Sequence, residues 1–130
     1  MASIGIDFGG TSVKIGVCKG SRFLEQPPRL VTADYRSPDD LIEAMRRVIL
    51  DLKSRYPEIE AVGVGVPGFV DFRTGMVHKL TNVEGWVKIP LKEILTEGTG
   101  LTVTVENDAN AMAYAEWRLG AGMGSEHMLA

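Results

Sequence analysis

The sequence lacks several features that define whole classes of protein. It has one cysteine, Cys18, so no disulfide can form within the chain. Its 14 lysine and arginine residues stand against 17 aspartate and glutamate residues, and no basic stripe appears, which disfavours nucleic-acid binding. No apolar run approaches the ~20 residues of a membrane-spanning helix, and the chain does not open on a basic, leucine-rich leader. We therefore expect a cytoplasmic protein with neither a nucleic-acid nor a membrane partner.

Zinc-site spacing is also missing, because His78 and His127 each stand alone. What remains is the composition of an ordinary globular domain, with 130 residues, 45% hydrophobic and 24% charged. This length suits one domain with a single core. Cys18 lies in an apolar stretch and is expected to be a buried thiol.

A glycine pair, Gly9 and Gly10, separates two apolar runs, residues 4–8 and 13–18. Both runs are typical of strands, so the glycines fall in a tight hairpin, where positive φ costs glycine little. Successive N–H groups in such a turn form a concave site for an anion. A strand follows the glycines rather than a helix, so the pattern is neither a P-loop nor a dinucleotide-binding fingerprint.

Polar side chains on either side of this turn indicate what it could bind. Thr11 adds a hydroxyl donor, Lys14 a positive charge, and Asp7 a carboxylate at the end of the first strand. With the turn, they could hold the phosphates of a nucleotide and its metal ion, with Asp7 as metal ligand. The alternative is an ordinary glycine hairpin with polar neighbours, because short glycine motifs often occur by chance.

The rest of the chain alternates strand-like and helix-like segments. Ser37 can cap a helix that Pro38 begins, and an alanine-rich segment over 108–119 predicts a helix that stops at Gly120. The other predicted elements are strands over 3–8, 13–17, 22–25, 61–66 and 101–105, a hairpin over 69–79 and a short helix over 90–95. Antiparallel strands followed by strand–helix alternation predict an α/β domain with a mixed five-stranded sheet and helices on both faces.

Asn107 and Asp108 lie where the last predicted strand gives way to the last helix. Ligands of open α/β sheets bind beyond the carboxyl ends of the strands, and Asp7, Asp108 and the turn Pro67-Gly68 each follow such an end. If these strands are parallel neighbours, the three points meet at one edge. Asp108 could then take the proton of a sugar hydroxyl that attacks a phosphate, with Asn107 beside it. The alternative is helix capping, in which Asn and Asp are favoured.

The loop 82–86 offers one amide, Asn82, and one large aromatic side chain, Trp86. Such a pair can hold a sugar through a polar contact and an apolar face. Alternatively, the loop is simply anchored by a tryptophan of the core.

In this order, the motifs resemble the ROK family of sugar kinases and repressors, and most of all its bacterial glucokinase branch. The resemblance covers the whole chain, and although each motif alone is weak, the ordered set is specific. The motifs are Asp7-x-Gly9-Gly10-Thr11-x-x-Lys14, then Gly63-Val64-Gly65-Val66-Pro67-Gly68-x-Val70-Asp71, Asn82-x-x-Gly85-Trp86, Glu106-Asn107-Asp108-Ala109-Asn110 and Gly120-Ala121-Gly122.

The resemblance implies that residues 1–130 form the N-terminal lobe of an actin-like, ribonuclease-H-like ATPase domain. It implies a kinase that binds ATP, Mg²⁺ and a hexose and forms a homo-oligomer. Asp7 to Lys14 would be the first phosphate motif, and Asp108 the catalytic base. The family positions that hold the sugar correspond to Gly65, Pro67, Gly68, Asn82, Asn107 and Asp108.

Departures from the family pattern qualify this expectation. The Gly-Thr-Gly phosphate loop, the Glu-x-x-Gly-His segment, the zinc motif and the adenosine site that follow in the family are missing, so we expect half an active site and no activity from this chain alone. Glu84 replaces the small residue or proline usual before Gly-Trp, which leaves the sugar open. A sugar-responsive repressor and a binding-only remnant are the alternatives, although no helix-turn-helix segment precedes Asp7.

Overall fold

The computed structural model describes residues 2–8, 11–20, 22–66, 69–71, 73–79 and 86–107. The helix predicted over 108–119 lies outside these residues. Within the described part of the chain, neither helix is long and apolar enough to cross a membrane.

The described residues include nine strands and two α-helices. The strands are β1 (Ala2–Phe8), β2 (Ser12–Lys19), β3 (Arg22–Glu25), β4 (Leu30–Val31), β5 (Ile59–Val66), β6 (Phe69–Asp71), β7 (Met76–Lys79), β8 (Val87–Pro90) and β9 (Thr102–Asn107). The helices are α1 (Pro38–Arg55) and α2 (Leu91–Thr99), and a single 3₁₀ turn covers Thr32–Asp34.

The main sheet has the strand order β3-β2-β1-β5-β9, and β4 pairs with β2 beside β3. β1 is antiparallel to β2 and parallel to β5, and β5 is parallel to β9. The predicted mixed α/β sheet is confirmed, but it has six strands rather than five; the five predicted strands form the path across it, and β4 is the sixth. β4 was not predicted, because a two-residue strand carries no pattern. Nor was β8, which completes a small antiparallel sheet with β6 and β7.

Alternation along the strands makes one face of the main sheet apolar. In β1, Ile4, Ile6 and Phe8 are almost fully buried, whereas the residues between them are half-buried. The buried strand residues join one core cluster with the apolar side of α1, formed by Leu41, Ile42, Met45, Ile49 and Leu52, and with Leu91 and Leu95 of α2. The core therefore lies between the sheet and these two helices.

Cys18 does not belong to this core, so the expectation of a buried thiol is wrong. It is half-buried, whereas its neighbour Val17 is fully buried. The reason is the two-residue period of a strand, which sends consecutive side chains to opposite faces. Partial burial still raises the pKa of the Cys18 thiol.

The ends of α1 follow the predicted chemistry. The Asp40 N–H donates to the Ser37 hydroxyl at 3.2 Å, and Pro38 occupies the first turn, where its missing N–H costs nothing. At the other end, the Lys53 ammonium donates to the carbonyls of Pro57 at 2.6 Å and Ile59 at 2.8 Å. These bonds join the end of the helix to the start of β5.

An ion pair on α1 supports its contact with α2. Glu43 accepts two hydrogen bonds from Arg46, at 2.8 and 2.5 Å, and one from Arg47 at 3.1 Å. The side chain of Arg46 lies against α2 at Gly98, where a Cβ would stand 2.8 Å from Arg46 Cδ. The hydrogen bonds from Arg46, and then the one from Arg47, lower the pKa of Glu43 from its ordinary 4.5 to about 2.

We predict that Glu43→Gln lowers the melting temperature at neutral pH but not at low pH. Because folding lowers the pKa of Glu43, its contribution to stability is complete above the carboxyl's ordinary pKa of 4.5 and is lost as the pH falls towards about 2. Thermal unfolding followed by circular dichroism from pH 2 to pH 7 measures this difference. Glu97→Gln, on the exposed side of α2, is the matched control. A Glu43→Gln effect that stays constant across the range would contradict the assignment.

Candidate functional site

Three parallel strands end together at one edge of the main sheet. Asp7 at the end of β1 pairs with Gly65 of β5, and Gly65 pairs with Glu106 of β9. One step further, Val66 pairs with Asn107. The strands are therefore parallel neighbours, which was the condition for Asp7, the end of β5 and the end of β9 to share one edge. A ligand crevice in a sheet of this kind lies at such an edge.

Asp7 and Lys14 lie directly opposite each other on β1 and β2. Directly opposed side chains stand on the same face of an antiparallel pair. The Asp7 carboxylate and the Lys14 ammonium therefore lie on one face of the sheet, one just before the turn and the other just after it. Asp7 is half-buried and Lys14 is exposed, and the ion pairs among the described residues do not include this couple. Both charges border the predicted phosphate turn.

Thr11 directly follows the glycine pair and is tied to a residue far away in the sequence. It is exposed, and its backbone carbonyl accepts two hydrogen bonds from Thr32, one from the N–H at 3.0 Å and one from the hydroxyl at 3.1 Å. Thr32 was missed by sequence reasoning, because it belongs to a segment without periodicity or motif. Only the pairing of β4 with β2 brings it to the turn.

Trp86 lies in the core and not on a binding surface. Only 1% of Trp86 is exposed, and it meets Phe8 edge to face, with ring centroids 5.3 Å apart and an interplanar angle of 74°. Of the two interpretations of this tryptophan, the structure therefore supports a core residue that anchors the chain. Its ring offers no open face to a sugar. Its buried indole N–H has no hydrogen-bond partner among the described residues. Phe8 directly follows Asp7, so this aromatic pair adjoins the predicted phosphate turn along the chain.

The remaining predicted site residues divide into two groups. Gly65 is buried at the end of β5, and Asn107 is the last residue of β9. The others lie outside the described residues: Gly9, Gly10, Pro67, Gly68, Asn82 and Asp108.

A magnesium ion is compatible with what the edge provides. No group of three or more histidine, cysteine, aspartate or glutamate residues that could enclose a metal occurs in the described ranges. Mg²⁺ seldom needs such a cage, because it usually keeps several waters and binds one or two carboxylates together with substrate phosphates. The single carboxylate of Asp7 at the strand end fits that mode of binding.

A second network of charged side chains connects α1 with β3. Glu25 at the end of β3 accepts hydrogen bonds from Arg55 and from the Tyr56 hydroxyl, the latter at 2.9 Å. The hydrogen bond from Arg55, followed by that from Tyr56, lowers the pKa of Glu25. Arg55 also pairs with Asp51 one turn earlier on α1, at 2.9 Å. This network links the C-terminal end of α1 to β3.

Known proteins resemble this chain over nearly its whole length. The model of the ROK family matches residues 3–130. A glucokinase of Thermotoga maritima is 35% identical over 128 residues, covering 98% of this chain and 40% of that protein. An N-acetyl-D-glucosamine kinase of Haemophilus influenzae is 34% identical over 116 residues, covering 86% of this chain and 36% of that protein. The chain thus spans about 40% of the length of the curated relatives it matches.

Solved structures of the same family have a similar fold. A ROK family glucokinase from Streptomyces griseus, crystallised in complex with glucose and AMPPNP, superposes with a TM-score of 0.77 at 34% identity, covering 95% of this chain and 38% of that one. The fold is accordingly that of the ROK sugar kinases, an actin-like ATPase fold. The family model, the sequence relatives and the structural neighbours lead to one assignment: this chain belongs to the ROK family.

Proposed function

We propose that this chain is the N-terminal lobe of an ATP-dependent hexose kinase of glucokinase type. The observation that carries the proposal is the shared edge formed by the ends of β1, β5 and β9, where Asp7, Gly65 and Glu106 stand in one row. The chain's relatives support it, since they include glucokinases and an N-acetylglucosamine kinase, and one structural neighbour holds glucose and AMPPNP.

The phosphate end of the reaction would be served by the turn between β1 and β2. The N–H groups of Gly9 and Gly10, with the Thr11 hydroxyl and the Lys14 ammonium, would bind the phosphates of ATP. Asp7 would hold Mg²⁺, which supplies positive charge against the developing negative charge of the transferred group. Most of the rate enhancement in phosphoryl transfer comes from positioning and electrostatic stabilisation, and these residues would contribute to both.

The sugar end would be served by the ends of β5 and β9 and by the loop before Trp86. The backbone from Gly65 to Gly68, with the side chains of Asn82 and Asn107, would hold the hexose. The Asp108 carboxylate would accept the hydroxyl proton as that oxygen forms its bond to the γ-phosphorus. The bond from the γ-phosphorus to the bridging oxygen breaks at the same time, and ADP leaves with that oxygen.

The first test is phosphorylation by the full-length protein. Glucose, mannose, fructose and N-acetylated hexosamines are offered with ATP, or with polyphosphate, as the donor. Phosphorylation of at least one sugar supports the proposal, and the relative rates name the substrate. A full-length protein that binds a sugar but phosphorylates none of them would instead favour the regulator or the binding-only alternative.

We predict that Asp108→Asn in the full-length protein reduces kcat by about 10² to 10⁴-fold, because the substitution removes the general base but keeps the size and the capping ability of the side chain. Steady-state kinetics measure the loss, and circular dichroism checks that the fold is retained. Asp51→Asn, the same exchange on the surface of α1, should leave kcat unchanged. If Asp108→Asn turned over at nearly the normal rate, Asp108 would be a helix cap and not a base.

We also predict that the 130-residue chain alone folds but does not catalyse. Its core cluster joins the main sheet to both helices, which is sufficient for an independent domain. It spans only about 40% of the length of its relatives, so substrates would meet part of a cleft and no second lobe would close over them. A coupled kinase assay and isothermal calorimetry with ATP and glucose test this on the chain itself. Robust turnover, or ATP binding in the micromolar range, would contradict it.

A further inference from the structure

Thr32 makes two hydrogen bonds to a single atom of the predicted phosphate turn. Its backbone N–H and its hydroxyl both donate to the Thr11 carbonyl oxygen, at 3.0 and 3.1 Å. A carbonyl oxygen has two lone pairs, so both are used here. The peptide group that follows Thr11 is therefore fixed in orientation by a residue 21 positions away along the chain.

Thr32 is itself held from both sides. β4 pairs with the start of β2, with Val31 opposite Ser12, directly before Thr32. After Thr32, the Tyr35 N–H donates to the Thr32 carbonyl at 3.2 Å and closes the 3₁₀ turn. The contact with Thr11 thus comes from a segment that is already fixed in place.

We propose that Thr32 is a positioning residue for phosphate binding, and this proposal rests on the kinase function proposed above. Thr32 holds the Thr11 carbonyl and so fixes the backbone from which the Thr11 hydroxyl would reach the phosphates. Donors that are already oriented stabilise a charged group without reorganising when it arrives. Thr32 acts only through Thr11.

The test compares Thr32→Val with Thr32→Ser in the full-length protein. Valine keeps the branched shape and the backbone hydrogen bond but removes the hydroxyl donor, whereas serine keeps the donor. We expect Thr32→Val to raise the KM for ATP by about 2- to 10-fold, the range expected from one net hydrogen bond. The KM for the sugar should not change, and Thr32→Ser should restore the KM for ATP.

Thr99→Val is the matched control. The Thr99 hydroxyl also donates to a backbone carbonyl, that of Leu95, at 2.7 Å, but it lies at the end of α2. This variant should lower the melting temperature without moving the KM for ATP. The proposal is overturned if Thr32→Val lowers the melting temperature alone, if it raises both KM values equally, or if Thr99→Val raises the KM for ATP as much.

A second readout separates this proposal from the proposed function. If the wild-type protein phosphorylates no sugar, the kinase proposal fails, and amide NMR spectra of the same variants then judge the role of Thr32. Shifts of the Thr11 and Ser12 amide signals in Thr32→Val that return in Thr32→Ser support the positioning role. Unmoved signals overturn it.

Discussion

The parallel pairing of β1 with β5 and of β5 with β9 is the constraint on which the rest of the structure depends. Parallel strands end at the same edge, so a residue that follows one strand lies near a residue that follows the next. Such pairing needs long crossovers, and α1 and α2 are the helices of the connections into β5 and β9. The same helices cover the apolar face of the sheet, so the elements that bury the core also bring the strand ends together.

The two faces of the sheet differ because the strands alternate bulky and small residues. Val62, Val64 and Val66 of β5 lie in the core. On the other face, Gly16, Gly5, Gly63 and Thr104 form one row across four strands. A Cβ built on Gly5 meets nothing within 4 Å, so the absence of a side chain there is not forced by the neighbours among the described residues.

On each side of the predicted phosphate turn, a described residue contacts a partner outside the motif. Before the glycines, Phe8 packs edge to face with Trp86, and after them Thr32 holds the Thr11 carbonyl. Glycine has no side chain to make contacts, so the contacts on either side of the pair come from its neighbours in the sequence. Trp86 follows Asn82 by four positions in the sequence, so the two rings of this buried pair adjoin both predicted substrate segments along the chain.

The sequence by itself determined the local elements and the chemical character of the edge. Alternation predicted the strands, Ser37 and Pro38 predicted the start of α1, and Gly100, observed at φ 74°, ends α2 because glycine adopts that conformation cheaply. The ordered motifs also identify the ROK family. The local elements depend on residues close together in the chain, which is why a pattern can show them.

Only the tertiary structure decided which distant residues meet. It made β1, β5 and β9 parallel neighbours, buried Trp86 where a sugar-facing role was also open, and moved Cys18 to the face away from the core. It also brought Thr32 to the turn through β4, a strand of two residues. Each outcome depends on sheet register and on contacts between segments far apart in sequence, and no local periodicity encodes such contacts.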